Sequence, residues 1–294
     1  MSYKIVNAQN SARLTRVAWA AAVLAIGMVL GNPMGAFFMQ TASAAPMTGA
    51  DDGCSLSRLR GAYVLSINGF RTSQTPPLFT LSAYSPETLI GILTFDGQGN
   101  VSRSLTVSLA GNPPSAVADS GSYQVGANCS GSATFAANSE TWSLNIVDST
   151  SIAIITMNPG ELGAGTLVKQ EIEDCSTTDL RGIYIYSGNG LGTFQGPPQF
   201  ADGFFPVSVV GSWTFDGKGG VSRDLSLNFA GLPVPYVDAG SYQLHSNCTA
   251  SVYFPGDDEP FTLILVNTRQ AVALPGAGAG AGRTGAGSLL KQTF

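Results

Sequence analysis

Beyond residue 45 the chain alternates between apolar and polar positions with a period of two. Val101, Leu105, Val107 and Leu109 are interleaved with Ser102, Ser104, Thr106 and Ser108. Val221, Leu225, Leu227 and Phe229 are interleaved with Ser222, Asp224, Ser226 and Asn228. Successive side chains of a strand point to opposite faces, so each run predicts a strand with one apolar and one polar face. Segments near 62–69, 88–96, 101–110, 121–127, 131–137, 141–147, 151–157 and 166–170 read the same way and are separated by turn signals. No segment outside the N-terminal stretch carries the 3.6-residue apolar stripe of a helix.

The pattern is stated twice. Cys54-Ser-Leu-Ser-Arg-Leu-Arg60-Gly61-Ala-Tyr63 returns as Cys175-Ser-Thr-Thr-Asp-Leu-Arg181-Gly182-Ile-Tyr184. Thr94-Phe-Asp96-Gly-Gln-Gly99 returns as Thr214-Phe-Asp216-Gly-Lys-Gly219. Gly121-Ser-Tyr123-Gln and Gly240-Ser-Tyr242-Gln are each followed by a cysteine, Cys129 and Cys248. A duplication at this period divides the chain into a first barrel over 54–170, a linker over 171–174 and a second barrel over 175–294. Eight short antiparallel strands in about 120 residues suggest an up-and-down barrel, which leaves no exposed edge. The expected fold is therefore all-β: two tandem eight-stranded antiparallel up-and-down barrels, each with one disulfide.

A barrel of eight strands has a narrow lumen, so the apolar faces should point inward and the Ser/Thr faces outward. Outer-membrane barrels are built the other way round, which sets that class aside despite the terminal Phe294. Equal placement in the two repeats pairs Cys54 with Cys129 and Cys175 with Cys248. A metal site is the rival reading, but there is no CxxC, and the sole histidine, His245, faces Gly126 in the other repeat. Neither a metal nor another cofactor is expected.

Residues 1–44 read as an export signal: Lys4, Arg13 and Arg16 precede the apolar run Val17–Leu30, and Ala42-Ser43-Ala44 supplies a cleavage pattern. Residues 45–53 then form an N-terminal tail. An uncleaved anchor is the alternative, although Gly31, Asn32 and Pro33 interrupt the run short of the roughly 20 residues a span needs. After cleavage 11 basic residues face 19 acidic ones, a net charge of −8 with no Lys/Arg cluster. Such a chain is a poor partner for nucleic acid or an anionic membrane. A secreted or periplasmic location is expected, without stable membrane insertion; the oligomeric state stays open.

Candidate chemistry lies at two places. Arg103 and Arg223 fall on inward faces, near Leu93 and Trp213 in hairpin register. They read either as cations that anchor a ligand carboxylate or as floor arginines hydrogen-bonded to turn carbonyls. The second place is the aromatic, proline-rich loops expected at the opposite end: Phe70, Phe79 and Tyr84 in the first repeat, Phe194, Phe200, Phe204 and Phe205 in the second. Tyr236 joins them from the strand 3–4 loop, Leu232-Pro-Val-Pro-Tyr236. These rings either bind a ligand or plug the mouth. Asp96 and Asp216 read as turn residues that bond their own backbone, and Asp119 and Asp238 as strand caps or ligand contacts. His245 has no partner that would make it a general base.

At Leu-Arg-Gly-x-Tyr, Phe-Asp-Gly-x-Gly and Gly-Ser-Tyr…Cys the chain resembles bacterial secreted proteins with an allene oxide cyclase-like barrel. More broadly it is similar to calycins, whose first strand opens on Gly-x-Trp where this chain has Gly61-Ala-Tyr63 and Gly182-Ile-Tyr184. The resemblance implies a calycin-type barrel. It does not carry over cyclase activity, because the plant cyclases' catalytic polar residues have no matching positions. Three readings follow. The first is binding of a small apolar or amphipathic ligand inside a lumen. The second is a cyclase or isomerase acting within an apolar barrel, and the third a structural or adhesive protein with filled barrels. No catalytic signature favours an enzyme.

Overall fold

The computed structural model describes residues 54–72, 84–137, 139–192, 204–276 and 283–293. It shows two closed eight-stranded antiparallel barrels, each with its own disulfide. The first runs β1 (Arg60–Arg71), β2 (Ser85–Asp96), β3 (Asn100–Leu109), β4 (Ser115–Val125), β5 (Ser130–Phe135), β6 (Thr141–Ile146), β7 (Ser151–Thr156) and β8 (Glu161–Lys169). Each strand pairs with the next, and β8 closes on β1. The second runs β9 (Arg181–Gly192), β10 (Phe205–Asp216), β11 (Gly220–Phe229), β12 (Leu232–Leu244), β13 (Thr249–Tyr253), β14 (Phe261–Asn267) and β15 (Gln270–Leu274). Its eighth strand is in two pieces, β16 (Arg283–Thr284) and β17 (Gly287–Lys291), both laid along β9, which also pairs with β10. Gly285 lies at the break because a Cβ there would fall 2.4 Å from the Asn189 carbonyl oxygen.

The alternating pattern is satisfied as an apolar lumen. Tyr63, Leu65 and Ile67 of β1 meet Leu93 and Phe95 of β2 and Trp142 of β6 inside the first barrel. Tyr184, Tyr186, Trp213 and Phe215 start the matching core in the second. The repeated motifs build the floor. A 3-10 turn, Leu56–Arg58, passes beneath the first barrel with Leu59 fully buried, and the Tyr123 hydroxyl lies 3.0 Å from the carbonyls of both Leu56 and Leu59. Tyr242 repeats this with Thr177 and Leu180, at 3.0 and 2.9 Å. The disulfides tie the same turns to the β4–β5 and β12–β13 connections, with Cα atoms 5.0 Å apart in each.

One connection departs from the sequence reading. Leu232-Pro-Val-Pro-Tyr236 is the start of β12, paired with β11 from Phe229↔Leu232 onward, and not a loop. Ala230 and Gly231 turn the chain with φ values of 50° and 93°, the positive pair that a two-residue hairpin needs. Among the described residues only Ser241–Leu244 of β12 also pairs with β13. Pro233 and Pro235, two residues apart, therefore set their missing N–H groups on the unpaired side, where the ladder loses nothing.

The barrels pack on each other through outer faces. Val64 of β1 and Ile90 of β2 form a buried cluster with Ile264 and Val266 of β14 and Leu274 of β15. Side-chain hydrogen bonds cross the seam: Ala286 N–H donates to Asn68 Oδ1 at 3.0 Å, and Gln170 Nε2 donates to the Leu265 carbonyl at 2.8 Å. Residue 171, the start of the expected linker, is also fixed, since Glu171 N–H donates to the Val266 carbonyl at 2.8 Å.

Candidate functional site

β3 and β11 carry Arg103 and Arg223 inward, opposite Leu93 and Trp213 as the register required. Both side chains are almost wholly buried. Carboxylates hold them, where the floor reading expected turn carbonyls. Arg103 is bidentate to Asp119, 2.5 Å from Nε to Oδ1 and 3.1 Å from Nη2 to Oδ2. Its Nη1 pairs with Glu140 at 2.8 Å, and Glu140 in turn accepts from the Trp142 indole N–H at 2.6 Å. The guanidinium lies 3.8 Å from the centre of the Phe135 ring.

Arg223 repeats the device with different parts. It is bidentate to Asp238 at 2.6 and 2.9 Å, and Nη2 reaches Asp257 at 3.1 Å and the Tyr236 hydroxyl at 3.3 Å. Its guanidinium stacks on Phe254 at 3.6 Å and Tyr236 at 4.7 Å. Burial alone would lower the Arg223 pKa, but the hydrogen bonds it donates to Asp238 and the charge of Asp257 outweigh it and hold the group above its ordinary value. Each lumen thus sets one cation against two carboxylates. That geometry differs from the expected anchor for a ligand carboxylate, because the charge is already answered from within the protein.

The second lumen holds a cavity above this cluster. Tyr186, Gly188, Val209, Leu225, Leu227 and Phe261 make most of its apolar wall, with Arg223 and Tyr236 at its polar end. Its empty space is about 640 Å³ with the open mouth included. Strand register between the repeats explains where the room comes from. Gly188, Ala271 and Ala273 stand where the first barrel has Ile67, Ile152 and Ile154, all buried. Trp213 and Tyr186 replace Leu93 and Leu65 lower down, so bulk is shifted toward the floor and withdrawn from the upper lumen.

The aromatic candidates separate. Tyr236 lines the cavity from a strand. Phe205 is buried at the start of β10, edge-on to Phe229, which also lines the cavity. Phe204 and Tyr84 are half-buried beside the mouths. Phe70 is 37% exposed and lies on a groove between the barrels with Leu162, across from Leu191. Phe79, Phe194 and Phe200 lie outside the described residues. Trp213 packs among Tyr186, Phe254 and Phe261 rather than on the cavity wall, and its indole N–H is buried without a hydrogen-bond partner.

The remaining titratable candidates are structural. Asp96 Oδ1 accepts from the N–H groups of Gln98 and Asn100, and Asp216 Oδ1 from those of Lys218 and Gly220. These bonds, led at Asp96 by the Asn100 side chain, hold both carboxyls below the usual range. Burial pushes the Tyr184 phenol up to about 12, so it keeps its proton at neutral pH. His245 closes a turn with its backbone N–H, as Gly126 does in the other repeat.

The first barrel's mouth carries a further buried acid. Arg71 Nε meets Glu87 at 2.8 Å and its Nη2 meets Glu161 at 3.2 Å. Burial pushes the Glu87 carboxyl up against the pull of Arg71. An acid raised in the fold binds more protons folded than unfolded, so its contribution is complete below its ordinary value and is lost as pH rises through the raised one. Glu87→Gln should therefore gain in melting temperature relative to the parent between about pH 4 and about pH 7. A gap that narrows over that rise would contradict the burial effect.

Sequence reasoning missed Glu140, Asp257 and Gly188. The two acids lie in the β5–β6 and β13–β14 connections, which differ in length, so aligning the repeats does not superpose them. Gly188 was visible as the small partner of Ile67, but its meaning depends on which way that position faces.

Fold and site together define a class: tandem two-barrel β proteins with a buried arginine–dicarboxylate cluster in each lumen. No family model matches the sequence, and none of the curated proteins compared with it matches. Among solved structures it is similar to a protein of unknown function of the DUF3598 family from Nostoc punctiforme PCC 73102. That likeness has 10% identity, 83% coverage of this chain, 100% coverage of the other and a TM-score of 0.25, and carries no argument about function. Of the resemblance to allene oxide cyclase-like proteins, the eight-stranded barrel is what the structure supports.

Proposed function

We propose that this is an exported protein, secreted or periplasmic, whose second barrel binds a small apolar or amphipathic molecule. Both disulfides suit an oxidising compartment, and among the described residues no helix is long and apolar enough to cross a membrane. The carrying observation is the cavity beside Gly188, apolar along its walls and closed below by Arg223 and Tyr236. With two carboxylates around one guanidinium, its polar end favours a neutral hydrogen-bonding group or a cation over a carboxylate. The first barrel, its upper lumen occupied by Ile67, Ile152 and Ile154, acts as a support.

Native mass spectrometry on the mature protein, prepared without detergent and exposed to a library of hydrophobic metabolites, tests this. One molecule per chain should bind and leave on denaturation, and Leu227→Trp, which fills the cavity, should abolish uptake with the fold retained by circular dichroism. No uptake by the parent would mean that both lumens are filled. Undiminished uptake by the variant would place the ligand elsewhere.

A further inference from the structure

The two barrels are repeats, yet each uses a different outer face against the other. The first contributes the face of β1, β2 and β8; the second contributes the face of β14 and β15 with Ala286 between β16 and β17. The same two faces therefore recur once more on the molecule, without partners among the described residues. In the second barrel the register places Ile185, Val210 and Leu290 where the first has Val64, Ile90 and Val168. Val64 and Ile90 are buried at the seam, whereas Ile185, Val210 and Leu290 are 40%, 54% and 53% exposed. Ile185 sits directly opposite Leu290, and Val210 is on the adjacent strand, so the three form one patch. In the first barrel Val147 and Ile155 stand where the second has the buried Val266 and Leu274, and they are 69% and 47% exposed.

One polar contact recurs away from the seam: Gln170, which hydrogen-bonds across it, has Gln292 as its exposed counterpart in the second barrel. The counterparts of Asn68 and Ala286, Asn189 and Ala164, line the groove beside the existing seam. An apolar patch alone would not name its occupant. A patch that keeps three apolar positions of one half of an interface, on a chain that also exposes two of the other half, points to a second copy, although Asn145 and Ala153 stand where the seam has Ile264 and Val272.

We propose that the protein associates head to tail with further copies of itself. The β9/β10/β17 face of one copy packs on the β6/β7 face of the next, repeating the contact between its own barrels. This is a heterologous contact, in which each copy keeps one free face of each kind, so the assembly grows into a ring or an open array. Within a barrel the two faces adjoin, β7 beside β8 and β15 beside β17, and do not lie half the circumference apart, so successive barrels turn rather than run straight.

Sedimentation velocity on the mature protein is the test, with two face variants. Ile185→Asp with Leu290→Asp breaks one face, and Val147→Asp with Ile155→Asp breaks the other; all four positions are exposed, and the milder serine pairs serve if an aspartate pair lowers the melting temperature. The parent should form species of two or more chains that grow with concentration. Each variant alone should be monomeric, and an equal mixture should form a dimer that grows no further. A parent that stays monomeric at its highest soluble concentration overturns the proposal. So does a Val147/Ile155 variant that still associates like the parent, which would indicate a symmetric contact of the first patch with itself.

Discussion

Arg223→Met should lower the stability of the second barrel by about 3–5 kcal/mol, the cost of breaking a buried ion pair from one side. The substitution preserves much of the side chain's length but leaves Asp238 and Asp257 facing each other's charge inside the lumen. It also removes the cation from the Phe254 ring, 3.6 Å away. For a body of this size, about 2–4 °C in melting temperature accompanies each kcal/mol, so a loss of roughly 10 °C is expected. Arg103→Met should do the same to the first barrel through Asp119 and Glu140. Adding Asp238→Asn and Asp257→Asn to the Arg223 variant should recover a large part of the loss, because the penalty lies in the stranded charges more than in the missing pair. Urea unfolding of the single and triple variants measures both effects. A single-variant loss under about 1 kcal/mol would show the cluster to be solvated and would remove the reason for treating it as a core element.

Replacing Cys175 and Cys248 together by Ala should cost about 4 kcal/mol, close to the loop-closure entropy of a cross-link between residues 73 apart. The first barrel, with a separation of 75, should lose as much without Cys54–Cys129. The effect should concentrate at the floor, where each bridge holds a 3-10 turn under the barrel and Tyr123 or Tyr242 holds it again. Thermal unfolding of the oxidised parent against each double variant reads the difference. A parent whose unfolding is unchanged by full reduction would show that the tyrosine contacts suffice.

Much of this architecture follows from short-range rules. Val101 to Leu109 alternate apart from Arg103, and a narrow lumen sorts such a strand into an inner and an outer face without further information. Asp96 and Asp216 precede glycines in tight turns, where a carboxylate meets its own backbone N–H groups. The cysteine pairing followed from equal placement in the two repeats. Local rules misjudged Pro233 and Pro235, because whether a proline breaks a ladder depends on which side of the strand is paired, and that is settled by a neighbour distant in sequence.

The sequence by itself determined the all-β class, the repeat, the floor motifs and the inward direction of both arginines. The class and the direction of the arginines depend on the period of two, and the repeat and its floor motifs are read by matching one half of the chain to the other. Only the tertiary structure decided what answers each arginine, since Glu140 and Asp257 arrive from loops of unequal length. It alone showed that Gly188 leaves room where Ile67 fills it, because volume is a property of everything that points into one lumen. It also decided which outer faces meet, as the burial of Val64 beside the exposure of Ile185 records a choice between two nearly identical surfaces. Burial is a property of the neighbour as much as of the residue.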